Sequence, residues 1–170
     1  MVSSGPRTGY PHGVATDRTL RAGEPVMIDI GVTVDGYGSD LTRTVHLGPP
    51  AAEFAEVHAL IERAMEAAIR GVRPGRAGRE IDALARAEID RAGYGERFGH
   101  GLGHSVGLQG HEPPNFAPAE TAELASGMVV TVEPGVYLPD RFGVRTEDMI
   151  VVTEDGCEVL TRAPRELKTV

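Results

Sequence analysis

Carboxylates interrupt stretches that otherwise read as apolar strands. Asp29 sits between Ile28 and Ile30 in "PVMIDIGVTV" (25–34), Glu133 follows "VVTV", and Glu147 precedes "DMIVV". Asp and Glu are disfavoured in strands. A carboxylate inside a buried strand is costly unless it is paired or bound to a cation. A chain with this pattern must therefore fold so that its strand-borne acids meet positive charge.

The strands come as two hairpins. After 25–34, Asp35-Gly36 is a turn signal, and "YGSDLTRTVHL" (37–47) returns. "MVVTVEPGVYL" (128–138) and "GVRTEDMIVVT" (143–153) form the second pair, with "CEVL" a short last strand. Between them the period changes. Phe54, Val57, Ile61, Ala64, Ala68 and Val72 fall three or four apart, one face of a helix over 51–72. Ile81, Leu84, Ala85, Ile89 and Ala92 mark a second helix, with Gly93 as its stop. Residues 1–24, rich in Gly, Ser, Pro and Thr, read as an irregular lead-in.

With 170 residues and 41 % hydrophobic content, the chain can form one domain with a real core. No apolar run approaches the roughly 20 residues needed to span a bilayer. Polar residues follow Met1, so no signal peptide is expected; Cys157 is the sole cysteine, which suits a cytoplasmic protein. A formal charge of −8 and no Trp argue against a nucleic-acid partner.

"RFGHGLGHSVGLQGHEPP" (97–114) holds three histidines and five glycines. His100 and His104 have the i, i+4 spacing of a zinc-protease helix. That motif needs a Glu after the first His, and here Gly101 follows. "GHSVG" matches a serine-nucleophile elbow around Ser105, but the only later histidine, His111, lies too near to complete a triad. "GLGHSVG" misses the dinucleotide fingerprint by one residue. The reading that absorbs the strand acids is a metal site. Asp29 and Asp40 lie eleven apart on one hairpin, Glu133 and Glu147 fourteen apart on the other, and one histidine can join them. Four carboxylates and an imidazole form a hard, oxygen-rich set that suits two divalent cations, whose charge would balance the acids.

The pieces "PHG" (11–13), "IDIG" (28–31), "SDLTRT" (39–44), "HGLGHSVGL" (100–108), "HEPP" (111–114), "TVEPGVY" (131–137) and "GVRTED" (143–148) together resemble the pita-bread dinuclear metallopeptidases, in the branch of Xaa-Pro dipeptidase (prolidase) and aminopeptidase P. The resemblance runs in order through nearly the whole chain. It implies an α+β pita-bread fold, N-terminally incomplete, with an antiparallel curved sheet and covering helices. Residues 1–170 would form a single metallopeptidase catalytic domain, with no separate N-terminal domain. The implied metal ligands are Asp29, Asp40, His104, Glu133 and Glu147, with Asp40 and Glu147 bridging two ions, Mn²⁺ or Co²⁺ first and Zn²⁺ next. A hydroxide between the metals would attack the peptide carbonyl, and Glu133 would handle its proton. His12, His100 and His111 would bind substrate, stabilise the oxyanion and help protonate the leaving proline nitrogen. Arg145 would orient the site from behind. The implied substrate is a small peptide with proline at its second position.

Methionine aminopeptidases usually carry "EPM" where this chain has "EPG", and lack the arginine two before the last ligand. Creatinase-like relatives lack the ligands. One departure stands out. Relatives in this branch carry an N-terminal domain and then two further helices before the first hairpin. The first hairpin here is therefore expected to expose apolar surface near 25–47, to self-associate as a homodimer and to touch no membrane. An impaired fragment, or a non-catalytic relative that keeps the metal site, is the alternative to an active enzyme. His46 and His58 read as ordinary, partly exposed residues, Asp35 as a turn residue, Cys157 as an inert thiol, and Asp148 as facing away from Glu147.

Overall fold

The computed structural model describes residues 1–170. Helix α1 (Ala52–Gly71) buries Phe54, Val57, Ile61, Ala64 and Ala68 on one face. Glu53 lies in its first turn and Arg70 in its last, the signs that the helix dipole favours. Helix α2 (Gly78–Arg91) begins where the Glu80 carboxylate accepts the Ala77 N–H at 2.8 Å, and it buries Ile81, Ala85 and Ile89. Gly93 ends it at a φ of 83°. The Gly93 N–H donates to the Asp90 carbonyl at 2.9 Å and the Tyr94 N–H to the Ile89 carbonyl at 3.1 Å. That is a Schellman closure, which a residue without Cβ adopts at little cost.

The lead-in, expected from its composition to be irregular, is in part regular. It forms a strand, β1 (Val2–Ser4), and a 3-10 turn at Gly5–Gly9. The first hairpin comprises β2 (Pro25–Ile30), β3 (Thr33–Val34), β4 (Tyr37–Gly38) and β5 (Leu41–His46). Asp35 and Gly36 turn it with φ of 51° and 88°, the positive pair of a type I′ hairpin turn. The glycine-rich segment, given no regular structure by its sequence, contains β6 (Gly103–Ser105) and β7 (Glu112–Phe116). The second hairpin comprises β8 (Val129–Val132), β9 (Gly135–Leu138), β10 (Phe142–Arg145) and β11 (Asp148–Val152), and β12 (Cys157–Val159) follows.

Neither hairpin is continuous, which corrects the reading of four unbroken strands. Each is a base pair of strands and a separate tip pair, with a break on both sides. At the breaks the backbone changes partner. The Ser39 N–H donates to the Val32 carbonyl at 2.8 Å, the Glu133 N–H to Leu102 at 2.7 Å, and the Glu147 N–H to Thr42 at 3.0 Å. Pro134 adds a residue with no N–H for the ladder. Asp40, Glu133 and Glu147 all stand at these breaks. Only Asp29 lies within a strand.

Three-stranded β1-β2-β5 and five-stranded β12-β11-β8-β6-β7 meet where the Glu147 N–H crosses to Thr42. Helices α1 and α2 cover one face of the larger sheet. A cluster of 21 buried residues joins them, with Ile61, Met65, Ile81 and Ile89 packed against Val130, Val132, Ile150 and Val152. The outer face of β1-β2-β5 has no such cover: Val2 and Ile30 are 44 % and 52 % exposed.

Two histidines depart from expectation. His46 and His58 are buried, not partly exposed. His46 Nδ1 meets the Gly48 carbonyl at 2.7 Å and its ring packs on Phe54. His58 lies on the buried face of α1, 3.6 Å from Glu62, and burial lowers its pKa. Asp148 faces away from Glu147, as its strand position predicts, and is buried between Arg43 and Arg165.

Candidate metal centre

The four strand-break and strand acids converge under the glycine-rich segment. Ligand atoms of Asp40, His104 and Glu147 all lie within 4.8 Å of one another. Glu133 Oε1 is 3.3 Å from His104 Nε2, and Asp40 Oδ2 is 3.8 Å from the same nitrogen. Asp29 faces this group from β2 but is ion-paired with Arg145. Sequence pattern alone explains part of the convergence. Asp29 and Thr42 are cross-strand partners, so the residues alternating with them share the inner face.

The ring of His104 is fixed from behind. Its Nδ1–H donates to the Ser105 carbonyl at 3.0 Å, which turns Nε2 toward the acids, where in the metal-free chain its proton is shared with Glu133 at 3.3 Å. Gly103 before it has no room for a side chain; an added Cβ would lie 2.0 Å from the Thr131 carbonyl oxygen.

The electrostatics are those of crowded acids. Burial, then the charges of Glu133 and Asp40, push the Glu147 carboxyl up from 4.5 to about 8. Burial, then Asp29 and Glu133, raise Asp40. Burial opposes the charge on Glu133 too, yet the His104 hydrogen bond and the charges of His104 and Arg145 hold it below its ordinary value. For His104, burial opposes protonation, and contact with Glu133 outweighs it and raises the pKa. Clustered acids that resist ionising together, with an imidazole nitrogen among them, match the donor set of hard divalent cations.

Arg145 is buried at the back of the group. It reaches Asp29, donates from Nε to Thr42 Oγ1 at 3.2 Å, and from Nη1 to the Pro11 carbonyl and the Tyr137 hydroxyl, each at 3.0 Å. Burial opposes its charge, and Tyr137, Glu133 and Asp29 more than compensate, raising its pKa.

A cavity of about 290 Å³ opens above the group, lined by His12, His100, His104, His111, Glu133 and Arg145 among others. His111 stacks on His104 with ring centroids 3.9 Å apart, and His12 is exposed at the rim. His100 has both nitrogens engaged. Nδ1–H donates to the Gly101 carbonyl at 2.7 Å, and Nε2 accepts from the Tyr137 hydroxyl at 2.9 Å. Burial lowers its pKa, which agrees with this neutral form.

Two residues here were missed in the sequence. Thr42 donates its hydroxyl to Glu147 Oε2 at 2.7 Å; its signal was the two-residue step from Asp40. Tyr137 links His100 to Arg145, and burial raises its pKa to about 12. An added Cβ at Gly135 would lie 2.5 Å from that hydroxyl, a constraint invisible without the fold.

The sequence profile of metallopeptidase family M24 matches residues 1–154. The chain is 41 % identical over 167 residues to an Xaa-Pro dipeptidase of Pyrococcus furiosus, covering 98 % of this chain and 48 % of the relative. It superposes on an Xaa-Pro dipeptidase from Bacillus anthracis with a TM-score of 0.98 at 44 % identity, over 100 % of this chain and 48 % of that one. The match to an X-Pro aminopeptidase from Thermotoga maritima has a TM-score of 0.97 at 42 % identity, with the same coverage. The chain thus spans about half the length of the curated relatives it matches. No helix is long and apolar enough to cross a membrane.

Proposed function

The chain belongs to metallopeptidase family M24 and has the pita-bread fold, and from that premise we propose that it is a metal-dependent exopeptidase that cleaves the Xaa-Pro bond at the N-terminus of dipeptides or short peptides. The observation that carries this reading is the convergence of Asp40, His104 and Glu147 within 4.8 Å beneath a histidine-lined cavity. Asp29, Asp40, His104, Glu133 and Glu147 would hold two divalent cations. The oxygen-rich set suits Mn²⁺ or Co²⁺ and accepts Zn²⁺. Bound there, the cations would lower the pKa of a coordinated water from about 15.7 toward about 7, which would supply a nucleophile at neutral pH.

The chain's own residues do the rest. Glu133, which lines the cavity and whose pKa is lowered, would take the proton of such a water. His111 and His12 line the cavity without a protein partner for their rings' outer nitrogens and can donate to the substrate carbonyl or to the leaving proline nitrogen. His100 acts from the wall, tied through Tyr137 to Arg145. Arg145 fixes Asp29 from behind.

Hydrolysis of an Xaa-Pro dipeptide and of a longer Xaa-Pro peptide tests this, using protein stripped of metal and refilled with Mn²⁺ or Co²⁺. Metal-dependent release of the first residue is expected, and the preferred length assigns dipeptidase or aminopeptidase. No turnover with two bound cations would instead support a second reading, a metal-binding chain without catalysis, which the partly exposed outer face of β1-β2-β5 favours. On that face we also place a homodimer contact through Val2 and Ile30; a monodisperse monomer in light scattering would remove it.

A further inference from the structure

His100 is flanked by Gly99 and Gly101. Glycine leaves the backbone free, so the ring's bonds to the Gly101 carbonyl and the Tyr137 hydroxyl fix its place only if the backbone on either side is held as well. That restraint comes from α2. Asp82 is 1 % exposed and lies on the edge of the face that buries Ile81 and Ala85. Arg86, one turn on, meets it with a two-pronged fork, Nε to Oδ2 and Nη2 to Oδ1, each at 2.8 Å. Two of its three remaining N–H donors go to the glycine-rich segment: Nη1 to the Phe98 carbonyl and Nη2 to the His100 carbonyl, both at 2.9 Å. Asp82 Oδ1 in turn accepts the Leu102 N–H at 3.1 Å. Neither carbonyl is taken by a backbone N–H. Arg86 also lies 4.3 Å over the Phe98 ring, whose edge meets the His100 ring at 5.1 Å between centroids.

We propose that the Asp82–Arg86 pair is a positioning unit for the cavity, which fixes the backbone on both sides of His100 and thereby aims its ring at the Tyr137 hydroxyl. A buried ion pair is weak evidence for stability alone, because an apolar pair of similar volume would pack as well. What the apolar pair lacks is a planar set of donors that matches a carboxylate and two carbonyls at once. Lysine lacks it too. The proposal rests on the peptidase reading for its kinetic consequence but not for its structural one.

The test compares Arg86→Lys and Asp82→Asn with the wild-type chain, loaded with Mn²⁺ for kinetics and with Zn²⁺ for spectra. Asp82→Asn keeps an acceptor for the Leu102 N–H and so guards against simple failure to fold. Histidine side-chain ¹⁵N spectra read the His100 tautomer directly. The pair as a positioning unit requires that both variants lose the single Nδ1–H form and bind two cations as the wild type does. It also requires that kcat fall by about 10- to 100-fold, the scale of a misplaced group, with KM nearly unchanged. An unshifted His100 signal with unchanged kcat and a lower Tm would make the pair a plain structural brace and overturn the proposal. If the wild type shows no turnover, the peptidase reading fails and the spectra still decide the positioning claim.

Discussion

The two hairpins do the same job with different support. Each has a base pair of strands, a break, and a tip pair, and each brings one acid into the three-residue group, Asp40 from one and Glu147 from the other, with a second acid beside it, Asp29 against Arg145 and Glu133 against His104. Behind the second lie α1 and α2, with Val130, Val132, Ile150 and Val152 sealed in the core. Behind the first lies a half-bare face with Ile30 exposed. Aiming a carboxylate therefore depends on where the strand breaks and which carbonyl its N–H then finds. Stiffness depends on what packs behind.

The largest effect should be the one that ignores this asymmetry. Asp40→Ala and Glu147→Ala come from opposite hairpins, yet each should abolish binding of the second cation and remove the thermal stabilisation by metal. Unchanged metal content in either would break the equivalence. Next comes the asymmetry itself. Ile61→Ala, behind the second hairpin, should cost about 2–5 kcal/mol as a buried cavity, whereas Ile30→Ser should fall within about 0.5 kcal/mol; equal losses in chemical denaturation would contradict the division. A smaller, pH-dependent effect follows from Glu147. Its carboxyl titrates near 8 in the folded, metal-free chain and at 4.5 when unfolded. Between those values the folded state binds the extra proton. The part of metal-free stability that depends on Glu147 should therefore be full below about 4.5 and decline as pH rises toward about 8, a decline that Glu147→Gln should lack. Bound cations hold the acid ionised, so loading with metal should remove that decline. A metal-free Tm with the same pH dependence in the wild type and Glu147→Gln would contradict the assignment.

Much of this was legible in the sequence, for physical reasons. The three-or-four spacing of Phe54, Val57, Ile61, Ala64 and Ala68 survives folding because a helix face is a local property, and Gly93 and Asp35-Gly36 mark their turns through φ alone. The acids and His104 stood out because their residue types conflict with their surroundings. The strand breaks did not, because apolar residues resume on both sides of 31–32, 39–40, 133–134 and 146–147 while the hydrogen-bond partner changes; Pro134 was the one visible signal. The burial of His46 and His58 is set by Phe54 and by the helix face they meet, and the pairing of β1 with β2 by contacts 24 residues apart in register from Ser3 to Met27. Arg86 looked like one more charged residue on a helix.

The most direct measurement is a calorimetric titration of the metal-stripped chain with Mn²⁺. Assembly of the centre by this chain predicts two cations per chain, with protons released on binding as Glu147 ionises. One cation or none, with the chain folded, would contradict it.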